Sequence, residues 1–101
     1  MPLDFVLADS RSEAYKVSPV LSINDEEHEL IVNQALDTSR PMLQRISDYY
    51  SDAVYKDDAV RMLNDELNTI KEGDSLIVLK KLKNLCQSAM ETARHIYVFC
   101  D

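Results

Sequence analysis

The sequence predicts a mainly α domain: an irregular four-helix bundle, with the N- and C-terminal segments free to pair as a small two-stranded sheet. Three observations lead there. The 101 residues include a single glycine and only three prolines, too few for the tight turns that an all-β fold demands. Long stretches carry apolar residues at intervals of three and four, the helical period. Capping signals punctuate those stretches at the spacing of helix boundaries. A chain of this length makes one domain, residues 1–101, and leaves no room for a second core.

Taken in order, Leu3, Phe5 and Leu7 alternate with Asp4, Val6 and Ala8, a short strand pattern closed by Asp9-Ser10-Arg11-Ser12. Residues 13–23 are rich in β-branched side chains but contain Pro19, which cannot donate to a ladder, so the segment reads as extended or as an edge. A first helix starts near Asn24, where Asn24 and Glu27 form an N-x-x-E capping box, followed by the stripe Leu30, Ile31, Ala35 and Leu36. Asp25, Glu26 and Glu27 sit at the positive end of its dipole. Pro41 opens a second helix, with Met42, Leu43, Ile46, Tyr49 or Tyr50, and Ala53 at helical spacing. A third starts at Asp57 or Asp58 and buries Val60, Leu63, Leu67 and Ile70, closing at Gly73. The fourth and longest, about residues 75–94, carries the stripe Leu76, Leu79, Leu82, Cys86, Ala89 or Met90, and Ala93, which Ile96 could continue. Ile96-Tyr97-Val98-Phe99-Cys100 reads as a closing strand whose available partner is the start of the chain.

The charge is uneven. Of the 18 acids, eight lie in residues 1–40 against three bases, seven in 41–73 against four, and three in 74–101 against four, for a net charge of −7. A field of that sign repels nucleic-acid phosphates and anionic membranes and attracts basic proteins. The N-terminal residues lack the positive start and long apolar run of a secretory signal, and no stretch approaches the ~20 apolar residues of a membrane span. Two cysteines without framework spacing fit a reducing, cytoplasmic setting.

Catalytic and metal signatures are missing. With one glycine there is no phosphate-cradling loop, and no G-x-S-x-G elbow is present. His28, among acids, reads as an exposed solvated residue. His95 with Cys86 and Cys100 matches no zinc spacing. Asp48, Asp52, Asp57 and Asp58 lack the order of an EF-hand loop. Cys86 falls on an apolar stripe and reads as core. The expectation is a protein that is not an enzyme and uses no metal or cofactor.

What stands out is Ser47–Asp58, with three of the five tyrosines and four carboxylates against one lysine. Tyrosine offers large contact area at low entropic cost, and aspartates accept charge-assisted bonds from arginine or lysine. The candidate partner-binding residues are Asp48, Tyr49, Tyr50, Asp52, Tyr55, Asp57 and Asp58, with Tyr55 as an exposed ring between the acids. The alternative is that the tyrosines are core and the aspartates are caps. Through Asp48, Tyr49, Tyr50 and Asp52, about a dozen positions in all, the chain resembles the small acidic immunity proteins of bacterial toxin systems. These include the colicin type, which grips a basic nuclease with paired tyrosines and acids, and those of contact-dependent inhibition. It departs from the colicin pattern in having no proline after the tyrosine pair and strand-like segments at both ends. The resemblance implies stoichiometric neutralisation of a basic toxin domain, a nuclease among the candidates. Two other readings compete: an adaptor or regulatory subunit that oligomerises through its helices, and a small enzyme using Cys100 or a carboxylate pair. The sequence does not fix an oligomeric state.

Overall fold

The computed structural model describes residues 3–35, 40–46, 52–70 and 76–100. It corrects the expected fold class: the chain is α+β, with a four-stranded antiparallel sheet, rather than a mainly α four-helix bundle. The described elements run β1 (Leu3–Ala8), α1 (Arg11–Ala14), β2 (Leu21–Ile23), α2 (Asp25–Ala35), α3 (Pro41–Gln44), β3 (Ala53–Tyr55), α4 (Asp58–Asn68), α5 (Leu76–Thr92) and β4 (His95–Cys100). The sheet order is β2-β1-β4-β3. The two ends of the chain do pair, Leu3 opposite Cys100 through to Ala8 opposite His95, but they form the centre of a sheet rather than a two-stranded appendage.

The physical reason lies in β4. Ile96, Tyr97 and Val98 are all buried, so side chains on both faces of this strand are covered, and it lies between two strands of the sheet. β1 satisfies one of its edges and β3 the other, with Ala53 opposite Val98 and Tyr55 opposite Ile96. That requirement overrides the helical spacing of Ala53, and the helix opened by Pro41 is described only as far as Gln44. The sheet needs no glycine because none of its strands is joined to its neighbour by a two-residue hairpin.

One face of the sheet and the helices α2 to α5 enclose the main core. Leu3, Phe5, Ile23, Tyr55, Ile96 and Val98 from the strands meet Ile31, Leu43, Leu63, Leu67, Leu79, Leu82 and Cys86 from the helices. The expected stripe of α4 is present in Val60, Leu63, Leu67 and then Ile70. On α5, Ala89 faces inward, while Met90 is exposed. The capping box forms: the Glu27 amide donates to Asn24 Oδ1 at 2.9 Å and the Asn24 amide to Glu27 Oε1 at 3.2 Å. α3 takes its cap from another element, since Glu66 of α4 accepts from the amides of Met42 and Leu43, both at 2.9 Å. His28 corrects another expectation. It is buried, and its Nε2–H donates to the Ile46 carbonyl at 2.7 Å, pinning α2 to the end of the α3 turn. The helical face it occupies carries Ile31 three residues on, so it points into the core despite its acidic neighbours.

The opposite face of the sheet is only partly covered. There Val6, Ala8 and Tyr97 pack with Ala14 of α1 as a second, smaller cluster, joined by Val54 and Phe99. α1 is held by Ser10, whose Oγ accepts from the Glu13 amide at 3.2 Å.

Candidate partner-binding surface

The Ser47–Asp58 stretch does not act as one continuous patch. Asp48, Tyr49 and Tyr50 lie outside the described residues. Asp52 is exposed immediately before β3, and Asp57 and Asp58 are exposed after it, where α4 begins. The three acids therefore stand at the two ends of one short edge strand.

Between them, Tyr55 corrects the expectation of an exposed ring. It is fully buried, and its hydroxyl donates to the Met42 carbonyl at 2.6 Å. Strand alternation explains this: pairing with Ile96 turns Tyr55 to the same face as Ile96 and Val98. The Arg45 guanidinium lies over the Tyr55 ring at 5.4 Å and donates to the Val54 carbonyl at 3.0 Å. Arg45 thus fills part of the free edge of β3. Burial raises the tyrosine's pKa well above the ordinary range, against the pull of the nearby Arg45 charge. This ring supports the acids from within and cannot itself touch a partner.

At the start of α4, Asp57 adopts φ 51° and ψ −118°, a left-handed conformation that costs a non-glycine residue energy. Asp58 pairs with Arg61 at 2.8 Å, with both side chains largely exposed, an arrangement worth well under about 1 kcal/mol. The groove beside them, about 260 Å³, is also lined by Arg61, Arg94 and His95. Acids and bases are mixed there, so its local charge is close to balanced.

The partly covered face of the sheet carries a different arrangement, which the sequence reading missed. Strand register sets Asp4 opposite Phe99. Continuing the register beyond Ala53 opposite Val98 brings Asp52 level with Phe99 from the other side. A cleft of about 370 Å³ opens over this row, lined by Asp4, Val6, Tyr15, Val17, Asp52 and Phe99 among others. Tyr15 stacks on Phe99 with ring centroids 5.0 Å apart, and Tyr97 follows at 6.5 Å. The available signal was the alternation Asp4, Val6, Ala8, which marks a polar-to-apolar second face of β1, but only the register places Asp52 beside it.

Cys86 does not form a reactive centre. Cys86 is fully buried, and burial pushes its thiol up to about 12, so it stays protonated and inert. The Cys100 side chain lies outside the described residues. Among the described residues, no group of three or more His, Cys, Asp or Glu could hold a metal ion, and no helix is long and apolar enough to cross a membrane. Comparison of the chain with protein-family models, curated proteins and solved structures finds no match.

Proposed function

We propose that this chain is a non-catalytic binding protein for a basic protein domain. In its most specific form it is an immunity protein that binds and neutralises a basic toxin, such as a nuclease, in the bacterial cytoplasm. The observation that carries the reading is the way charge and aromatic groups separate around β3. Tyr55 is drawn inside, while Asp52, Asp57 and Asp58 remain on the surface of a chain whose net charge is −7.

In this mechanism the acidic surface steers the encounter, raising the rate at which a cationic partner arrives. Asp48, Tyr49, Tyr50 and Asp52 make the contact, with Asp57 and Asp58 extending the acidic rim. The carboxylates pair with cations that the toxin would otherwise offer to nucleic-acid phosphate. Such an inhibitor works by occupancy and needs no cofactor.

The test is capture from lysate of the native source by the wild type and by a variant with Asp48, Tyr49, Tyr50 and Asp52 replaced by alanine, after circular dichroism shows the variant folded. The expected result is a basic partner retained by the wild type and lost by the variant. Equal recovery of one partner by both proteins, or recovery of the chain itself, contradicts the reading and points to a subunit that works through another face.

A further inference from the structure

We propose that Asp57 is a site of spontaneous backbone modification: its side chain closes on the Asp58 amide to form a succinimide, which reopens to isoaspartate. The cause is the turn that joins β3 to α4, whatever the chain binds.

The Ala59 amide donates to the Lys56 carbonyl at 2.9 Å, closing a four-residue turn whose first central residue is Asp57. Its φ of 51° and ψ of −118° match the first central position of a type II′ turn, where glycine normally stands because a Cβ is costly. Here the Cβ has a chemical consequence. Around the Cα–C bond of an L-residue, Cβ is offset from the residue's own nitrogen by about 120°, in the sense that cancels a ψ of −118°. Cβ therefore nearly eclipses the nitrogen of Asp58. A succinimide requires that alignment, because Cβ, Cα, the carbonyl carbon and the next nitrogen are all members of its five-membered ring. Helical and strand backbones hold ψ far from it, which protects an aspartate inside a regular element.

Both reacting groups are available. The Asp57 side chain is exposed and makes no capping bond to α4, so rotation about Cα–Cβ brings Cγ to the nitrogen. The Asp58 amide occupies the first position of α4, where no intrahelical carbonyl accepts from it.

The reaction balances with water alone. The Asp58 nitrogen attacks Cγ of the protonated side chain. The N–Cγ bond forms, the Cγ–OH bond breaks, and the hydroxyl leaves as water with the amide proton. Water then adds to the main-chain carbonyl of the ring and breaks its bond to nitrogen. That carbonyl becomes a free carboxylate, and the chain runs on through Cγ as isoaspartate. Addition at the other carbonyl restores aspartate. Charge and mass are unchanged, and the backbone is longer by one methylene.

Folding reverses the order that local sequence sets. A small residue after an aspartate hinders its amide least, so in an unfolded chain Asp9-Ser10 and Asp52-Ala53 should react before Asp57-Asp58. In the folded chain the aligned Asp57 should lead.

The experiment ages the full chain in buffer and, in parallel, in guanidinium chloride. Isoaspartate is counted by enzymatic carboxyl methylation and assigned to its position by electron-transfer fragmentation. In the folded chain Asp57 should be the leading site, reacting about tenfold faster than in denaturant, as expected when a reacting pair is held in position. Asp57→Asn reads the same geometry on a shorter timescale, because ammonia leaves in place of water, and should show the same ratio. Asp57→Glu keeps the charge but would need a larger ring, and should remove the signal from that position. A folded-state gain below about threefold in both the wild type and Asp57→Asn, or a folded chain that reacts first at Asp9 or Asp52, overturns the proposal.

Discussion

Tyr55 shows how one residue can look like a contact and act as a beam. Its hydroxyl joins β3 to α3 through the Met42 carbonyl, and its ring sits beneath Arg45. Tyr55→Phe should therefore lower stability by about 1 kcal/mol, the usual net value of such a bond, in chemical denaturation. The loss stays modest because the same carbonyl also accepts the Arg45 amide at 3.2 Å. Partner affinity should be unchanged. Cys86 makes a second prediction, with a definite sign. Its thiol is raised by burial from an ordinary 9.0 to about 12 in the folded chain. A group raised on folding contributes stability that is complete below its unfolded pKa and is lost as pH climbs through the folded value. Stability should hold up to pH ~9 and decline between there and pH ~12. Cys86→Ala, although less stable at neutral pH, should lose less of its remaining stability over that window. A thiol reagent that modified Cys86 in the native protein at neutral pH would contradict this account.

Legibility in the sequence differed from element to element, for physical reasons. The α2 capping box was readable because its signal is local: Asn24 and Glu27 satisfy each other's backbone amides three residues apart. The inward face of α4 was readable because a single helix imposes its own period. β3 was not, since Ala53-Val54-Tyr55 becomes a strand only when β4 offers an edge, and that edge is set by pairing between the two ends of the chain. The clue was the unbroken apolar run from Ile96 to Val98, which implies a strand buried on both faces and so placed inside the fold rather than on an exposed appendage. His28 was misread for a similar reason, because its partner carbonyl belongs to Ile46. The end of α5 yields a prediction of its own. Arg94 donates its amide to the Ala89 carbonyl at 2.9 Å and Ala93 donates to Met90 at 3.3 Å, the double bond of a Schellman cap. Ala93 holds φ 54° there, a conformation in which a Cβ is costly and glycine is favoured. Ala93→Gly should raise stability by about 1 kcal/mol in denaturant titrations. A neutral or destabilising result would mean that the left-handed turn carries no strain.

At the scale of the whole molecule, the sheet has one face committed to the core and one only partly covered by α1, and acids stand at the rim of that second face and at the β3 edge. Composition announced the charge, but not where it would matter. Of the candidate site, Asp52, Asp57 and Asp58 are on the surface as the sequence suggested, Tyr55 is not, and Asp48, Tyr49 and Tyr50 lie outside the described residues. Asp4, Tyr15 and Phe99 were invisible as a group because three separate elements bring them together. If long-range attraction steers a basic partner, ionic strength must control how fast the two meet, since the Debye length shrinks from ~30 Å at 0.01 M salt to ~3 Å at 1 M. The most direct measurement is the stopped-flow association rate of the wild type with its captured partner over that range. The account predicts a fall of about tenfold or more, with a dissociation rate that changes far less. An association rate indifferent to salt would contradict it and favour a subunit interface formed by apolar surface.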